Sequence, residues 1–177
     1  INDNWYYDTS FQFGTTASSA AYINDFFAPR IATAVDSEAC AADSACIPYE
    51  VFTLNGVTSE SAGALTGVGI LNGETRQTVL TGYVTGDLDF TLPSADAPLA
   101  VVLGAEYRKE EFERLSDEVF ENGLLLGQGG PTPSLRGGFT VSEFFTEENI
   151  PLMESLVADL AYRYSDYSTV GGQDTYR

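Results

Sequence analysis

Alternation of oily and polar residues dominates the chain, and it is clearest over residues 155–168, SLVADLAYRYSDYS. One alternate set is Leu156, Ala158, Leu160, Tyr162 and Tyr164; the other is Val157, Asp159, Ala161, Arg163 and Ser165. A strand turns successive side chains to opposite faces, so one face here is apolar and ends in tyrosines. A soluble sandwich would bury that face, and a membrane barrel would turn it to lipid with its aromatics at head-group level. Alternation alone leaves both open.

The same period recurs along the chain. Residues 4–14 place Trp5, Tyr7, Thr9, Phe11 and Phe13 on one face and Tyr6, Asp8, Ser10 and Gln12 on the other. Residues 77–92 set Leu80, Val84, Leu88 and Phe90 against Thr81, Tyr83, Thr85, Asp87 and Asp89. Residues 99–112 set Leu99, Val101, Leu103, Ala105 and Tyr107 against Val102, Gly104, Glu106 and Arg108. A fourth strand is predicted at 139–146, and 155–168 is the fifth. Glu106 and Arg108 are expected to pair across strands with Asp159 or Arg163.

Connections divide into two kinds. Residues 15–75 and 114–138 form long loops, the first far longer than a compact domain ordinarily carries. Short turns at 93–98 and around Pro151 join the other strands. Within the first loop, residues 29–38 predict a helix with proline in its first turn, and 58–65 another with Thr58 as N-cap. Long strands with loops on one rim and tight turns on the other suit an outer-membrane barrel better than a sandwich, whose strands are shorter and turns more even.

Charge narrows the partners. With 26 acidic and 8 basic residues the net charge is -18, and there is no histidine. That disfavours nucleic acid and anionic lipid head groups, and it removes the commonest general base and metal ligand. No Gly-x-Ser-x-Gly occurs, no carboxylate pair has a distinctive spacing, and no metal-ligand cluster is evident, so no enzyme, cofactor or metal is expected. No apolar run is long enough for a transmembrane helix. Cys40 and Cys46 lie in a polar, alanine-rich loop, which favours a disulfide and an oxidising compartment, with two unpaired thiols as the rival. The chain starts on Ile1 in a strand pattern and ends on Gln173-Asp174-Thr175-Tyr176-Arg177, which looks like a strand cut short; a piece of something longer is expected.

An ordered set of motifs spans nearly the whole chain: Asn24…Arg30…Ala34-Val35-Asp36, then Cys40…Cys46-Ile47-Pro48, then Gly104-Ala105-Glu106-Tyr107-Arg108. Gly137-Gly138-Phe139-Thr140-Val141-Ser142-Glu143-Phe144-Phe145-Thr146-Glu147, Ile150-Pro151-Leu152 and Ala161-Tyr162-Arg163-Tyr164-Ser165-Asp166-Tyr167-Ser168 follow. This set resembles the barrel of TonB-dependent outer-membrane receptors. The resemblance implies an all-β, antiparallel, up-and-down transmembrane barrel segment whose long extracellular loops carry short helices. The family's barrel has about 22 strands around a plug, and these residues show neither plug nor TonB box. A segment is therefore implied, partnered by the rest of the barrel, by outer-membrane lipid, and by TonB through the plug. Its function would be active uptake of a scarce ligand of the siderophore, cobalamin or carbohydrate class. Tyr83, Asp87, Glu106, Arg108, Asp159 and Arg163 would face the ligand or form a hydrated ladder. Trp5, Phe11, Phe13, Leu103, Tyr107, Leu160, Tyr162 and Tyr164 would face lipid. The alternatives are a secreted acidic β-rich structural or adhesive protein, and a barrel fragment assembled with other chains.

Overall fold

A computed structural model describes residues 4–177. Six strands form one sheet in chain order: β1 (Trp5–Phe26), β2 (Thr66–Asp87), β3 (Ala100–Ser116), β4 (Leu135–Met153), β5 (Leu156–Tyr167) and β6 (Gly171–Tyr176). β4 and β5 run antiparallel with Glu143 opposite Ser165 and Phe145 opposite Arg163, and the register shifts between Pro151 and Met153. β5 and β6 are also antiparallel, with Tyr164 opposite Asp174. Four short helices lie in the connections: α1 (Ala28–Val35), α2 (Ser37–Ala42), α3 (Ser59–Ala64) and α4 (Glu118–Glu121).

Several elements differ from the sequence expectation. The strand expected at 4–14 continues to Phe26, and β2 begins at Thr66 rather than 77, so the first long connection shrinks to 27–65. Residues 15–21 are small or polar on both faces and carry no apolar contrast, yet an extended chain accepts them. β4 outruns 139–146 at both ends and carries Pro151 within it, at the site of the register shift. The helix expected at 29–38 breaks at Asp36, whose carboxylate accepts from the N–H groups of Glu38 and Ala39 and so starts α2. α3 starts at a capping box: Ser61 N–H donates to the Thr58 hydroxyl while Thr58 N–H donates to the Ser61 hydroxyl. Cys40 and Cys46 are joined in a disulfide.

The chain divides into two compact units. One comprises the described part of Ile1–Thr16 with Thr75–Phe112 and Gly137–Arg177; the other comprises Ala17–Glu74 and Glu113–Arg136.

In the first unit the two faces of the sheet differ in kind. One face holds Thr81 and Glu106, Gln77 and Glu110, and Glu143, Phe145, Arg163 and Ser165, linked by cross-strand bonds. The opposite face holds Trp5 against Gly86, Tyr164 against Gly172, and Tyr162 donating to Asp174. Burial runs against ordinary soluble practice. Val141 is 0% and Glu143 8% exposed on the polar-residue face, while Leu103 is 40% and Leu160 50% exposed on the apolar one. Among the described residues there is a single sheet, so no second sheet covers the apolar side. That side is not wholly oily: Thr146 and Glu148 stand on it in β4 and bond to each other at 2.6 Å.

The second unit has its own core, built from the two long connections. Phe27 bridges Leu125 in antiparallel fashion, Phe27 N–H donates to Leu65, and Ala28 N–H donates to Leu124. Leu65, Phe120 and Leu125 are buried, and Tyr22 packs edge-on against Phe120 at 5.2 Å. Gly69 lies where any Cβ would strike Phe120 and Leu125, so a side chain there would displace this core. Asp25 accepts from Gly127 N–H, and Asp117 accepts from Ile70 N–H at 2.7 Å, tying the connections to the strands.

Candidate functional site: the polar face of the sheet

Strand alternation sets out the polar face of the first unit. Odd positions of β2, even positions of β3, and odd positions of β4 and β5 share it, because Thr81 bonds Glu106 and Phe145 covers Gly104. All six residues expected to face a ligand, Tyr83, Asp87, Glu106, Arg108, Asp159 and Arg163, fall on these positions.

The structure does not join them as expected. β4 lies between β3 and β5, so Glu106 and Arg108 have no direct cross-strand contact with Asp159 or Arg163. Glu106, Asp159 and Arg163 each find a nearer partner. Arg163 donates from Nη1 to Glu143 Oε2 at 3.2 Å, and its guanidinium lies 5.0 Å over the Phe145 ring. Ser165 donates to the other Glu143 oxygen at 2.5 Å. Asp159 accepts from Asn149 Nδ2 at 2.7 Å, and Glu106 accepts from Thr81 at 3.0 Å. Tyr83 and Asp87 remain exposed on β2, and the Arg108 Nε is buried without a hydrogen-bond partner.

Glu143 is the residue that sequence reasoning missed. Its carboxylate is almost fully buried, so it needs partners for both oxygens, and Arg163 and Ser165 supply them. The sequence did carry a signal: Glu143 and Phe145 stand two apart in a predicted strand, on the same alternate set. Their partners on β5 depended on register, which the pattern left undetermined.

Of the residues expected to face lipid, Phe11, Phe13, Leu103, Tyr107, Leu160, Tyr162 and Tyr164 are exposed on the opposite face. Trp5 is half-buried against Gly86. The polar face thus offers fixed carboxylates on β3 and β4, one stacked guanidinium, and an open tyrosine and aspartate on β2. That is an arrangement suited to holding polar solutes or water. No protein-family model, curated protein or solved structure matches the chain.

Proposed function

We propose that this chain is a segment of the barrel of a TonB-dependent outer-membrane transporter. The observation that carries the reading is the inverted burial of the sheet. Leucines, tyrosines and phenylalanines are exposed on one face while a carboxylate and valine are buried on the other. An apolar face that large costs little only where the surroundings are themselves apolar, and a bilayer supplies such surroundings. The ordered motifs around Glu106, Glu143 and Arg163 support the same family.

On this reading the polar face lines a watery interior, and the second unit is formed from extracellular loops. The edges of β1 and β6 pair with further strands, since hydrocarbon does not tolerate open edges. Transport then proceeds by binding and gated passage, without bond-making, with energy delivered by TonB through a plug. Tyr83 and Asp87 are the interior groups open to a solute of the siderophore, cobalamin or carbohydrate class, with Arg108 half-buried on the same face.

Fractionation of cells expressing the native gene tests this. The protein is expected in the outer-membrane pellet, released by detergent and not by high salt or alkaline carbonate. Recovery in the detergent-free supernatant as a monomer would contradict the reading. It would favour instead a secreted acidic β-rich structural protein, a reading that the net charge of -18 suits.

A further inference from the structure

The second unit contains a hollow of about 430 Å³ between α1, the disulfide loop and the end of α3. That volume is within the range of pockets that hold small organic molecules, about 300–1,000 Å³. Its apolar wall is made by Ile47, Ala64 and the Cys46 side of the disulfide, with the buried Leu65 behind it. Arg30 and Asp43 are its charged groups.

Arg30 is held in place before any ligand arrives. Its Nη1 donates to Thr66 O at 2.5 Å and to Ala64 O at 3.4 Å, and the guanidinium lies 5.3 Å over the Phe27 ring. Both hydrogen bonds leave from Nη1, while a guanidinium carries donors on three nitrogens. Nη2 and Nε remain, and that pair has the fork geometry that matches a carboxylate. Arg30 is also the only cation between residues 27 and 65, a stretch carrying Asp36, Glu38, Asp43, Glu50 and Glu60. An anion entering here has one seat.

We propose that this hollow binds a small molecule with an apolar body and a single carboxylate. The carboxylate pairs with Arg30, and the body lies along Ile47 and Ala64. Asp43, whose Oδ1 is taken by Ala45 N–H at 2.9 Å, sets the charge limit. A second negative charge on the ligand would meet that carboxylate in an already acidic loop and be refused. This site is independent of the barrel reading, because every group in it belongs to the loop unit.

The probe is 3-phenylpropionate, followed by saturation-transfer NMR on the purified full chain with its disulfide intact. The controls are the neutral amide of the same molecule and citrate. The carboxylate is expected to bind, the amide about tenfold more weakly for want of one charge-assisted bond, and citrate not at all. Ala45 lines the hollow, and Ala45→Trp, which adds bulk there and leaves Arg30 itself unchanged, is expected to abolish binding. Arg30→Lys keeps the charge but loses the fork and is expected to weaken it. The proposal is overturned if the probe does not bind, if amide and carboxylate bind equally, or if Ala45→Trp binds as the parent does.

Discussion

Gly104 on β3 lies directly beneath the ring of Phe145 on β4, so close that a Cβ at this position would overlap the ring. The ring has little freedom to retreat, because the Arg163 guanidinium lies 5.0 Å over it. Gly104→Ala is expected to lower stability by about 1–3 kcal/mol, the usual cost of overfilling a packed site. Phe145→Leu should recover part of that loss in the double variant. Urea unfolding of all four species measures the coupling, and strict additivity would show that the two positions do not share this space.

Glu143 and Arg163 form an unequal pair. The Glu143 side chain is 6% exposed and that of Arg163 is 46% exposed. Removing the arginine strands a buried carboxylate, whereas Glu143→Gln leaves an oxygen for Ser165 and strands nothing charged. Arg163→Met is expected to cost about 1–2 kcal/mol, discounted for its exposure, and more than Glu143→Gln. Ser165→Ala should cost about 1 kcal/mol. If the glutamine variant is the less stable of the first two, the carboxylate is not buried as described.

Leu160 separates membrane from water directly. Its side chain is half exposed, so in aqueous solution Leu160→Arg should change stability by no more than about 0.5 kcal/mol. Facing lipid, the same change costs about 2–4 kcal/mol at mid-bilayer. Folding into vesicles of defined lipid, compared with the parent, measures the difference. An arginine variant that inserts as well as the parent would place β5 away from lipid.

Cys40 and Cys46 close a loop with a sequence separation of 6, which in the chain-entropy account stabilises by about 2 kcal/mol. The bond braces one wall of the hollow. Replacing both with alanine is expected to raise amide exchange in α1, α2 and the loop that follows α2, and to leave the β5–β6 ladder unchanged. Hydrogen exchange read by mass spectrometry checks this. Equal loss of protection in β5 and β6 would mean that the disulfide supports the whole sheet and not the loop unit.

Much of the sheet could be read from period alone, since Leu103 to Tyr107 and Leu160 to Tyr164 contrast sharply with Glu106, Arg108 and Arg163. Where contrast failed, so did the reading. Ala17, Ser18, Ser19 and Ala20 are small on both faces, and Gly67, Gly69 and Gly73 look like loop punctuation although they lie within β2. Those glycines have a packing reason that no single sequence displays: Phe27 meets Gly67, and Phe120 and Leu125 meet Gly69. The polar face was legible as a set of residues and not as a set of contacts. Arg163 finds Glu143 only because β4 stands beside β5 in one particular register. The hollow at Arg30 draws on three separated segments, so it exists only once they fold together.

Whether one face of β5 meets hydrocarbon decides the proposed function, and a cysteine scan over positions 157–165 in the protein reconstituted with lipid vesicles measures it. Spin labels at 158, 160, 162 and 164 are expected to be relaxed by lipid-soluble oxygen, and those at 159, 161, 163 and 165 by a water-soluble nickel reagent. A pattern without period two, or one in which the nickel reagent reaches Leu160 and Tyr162 as readily as Asp159 and Arg163, would contradict it.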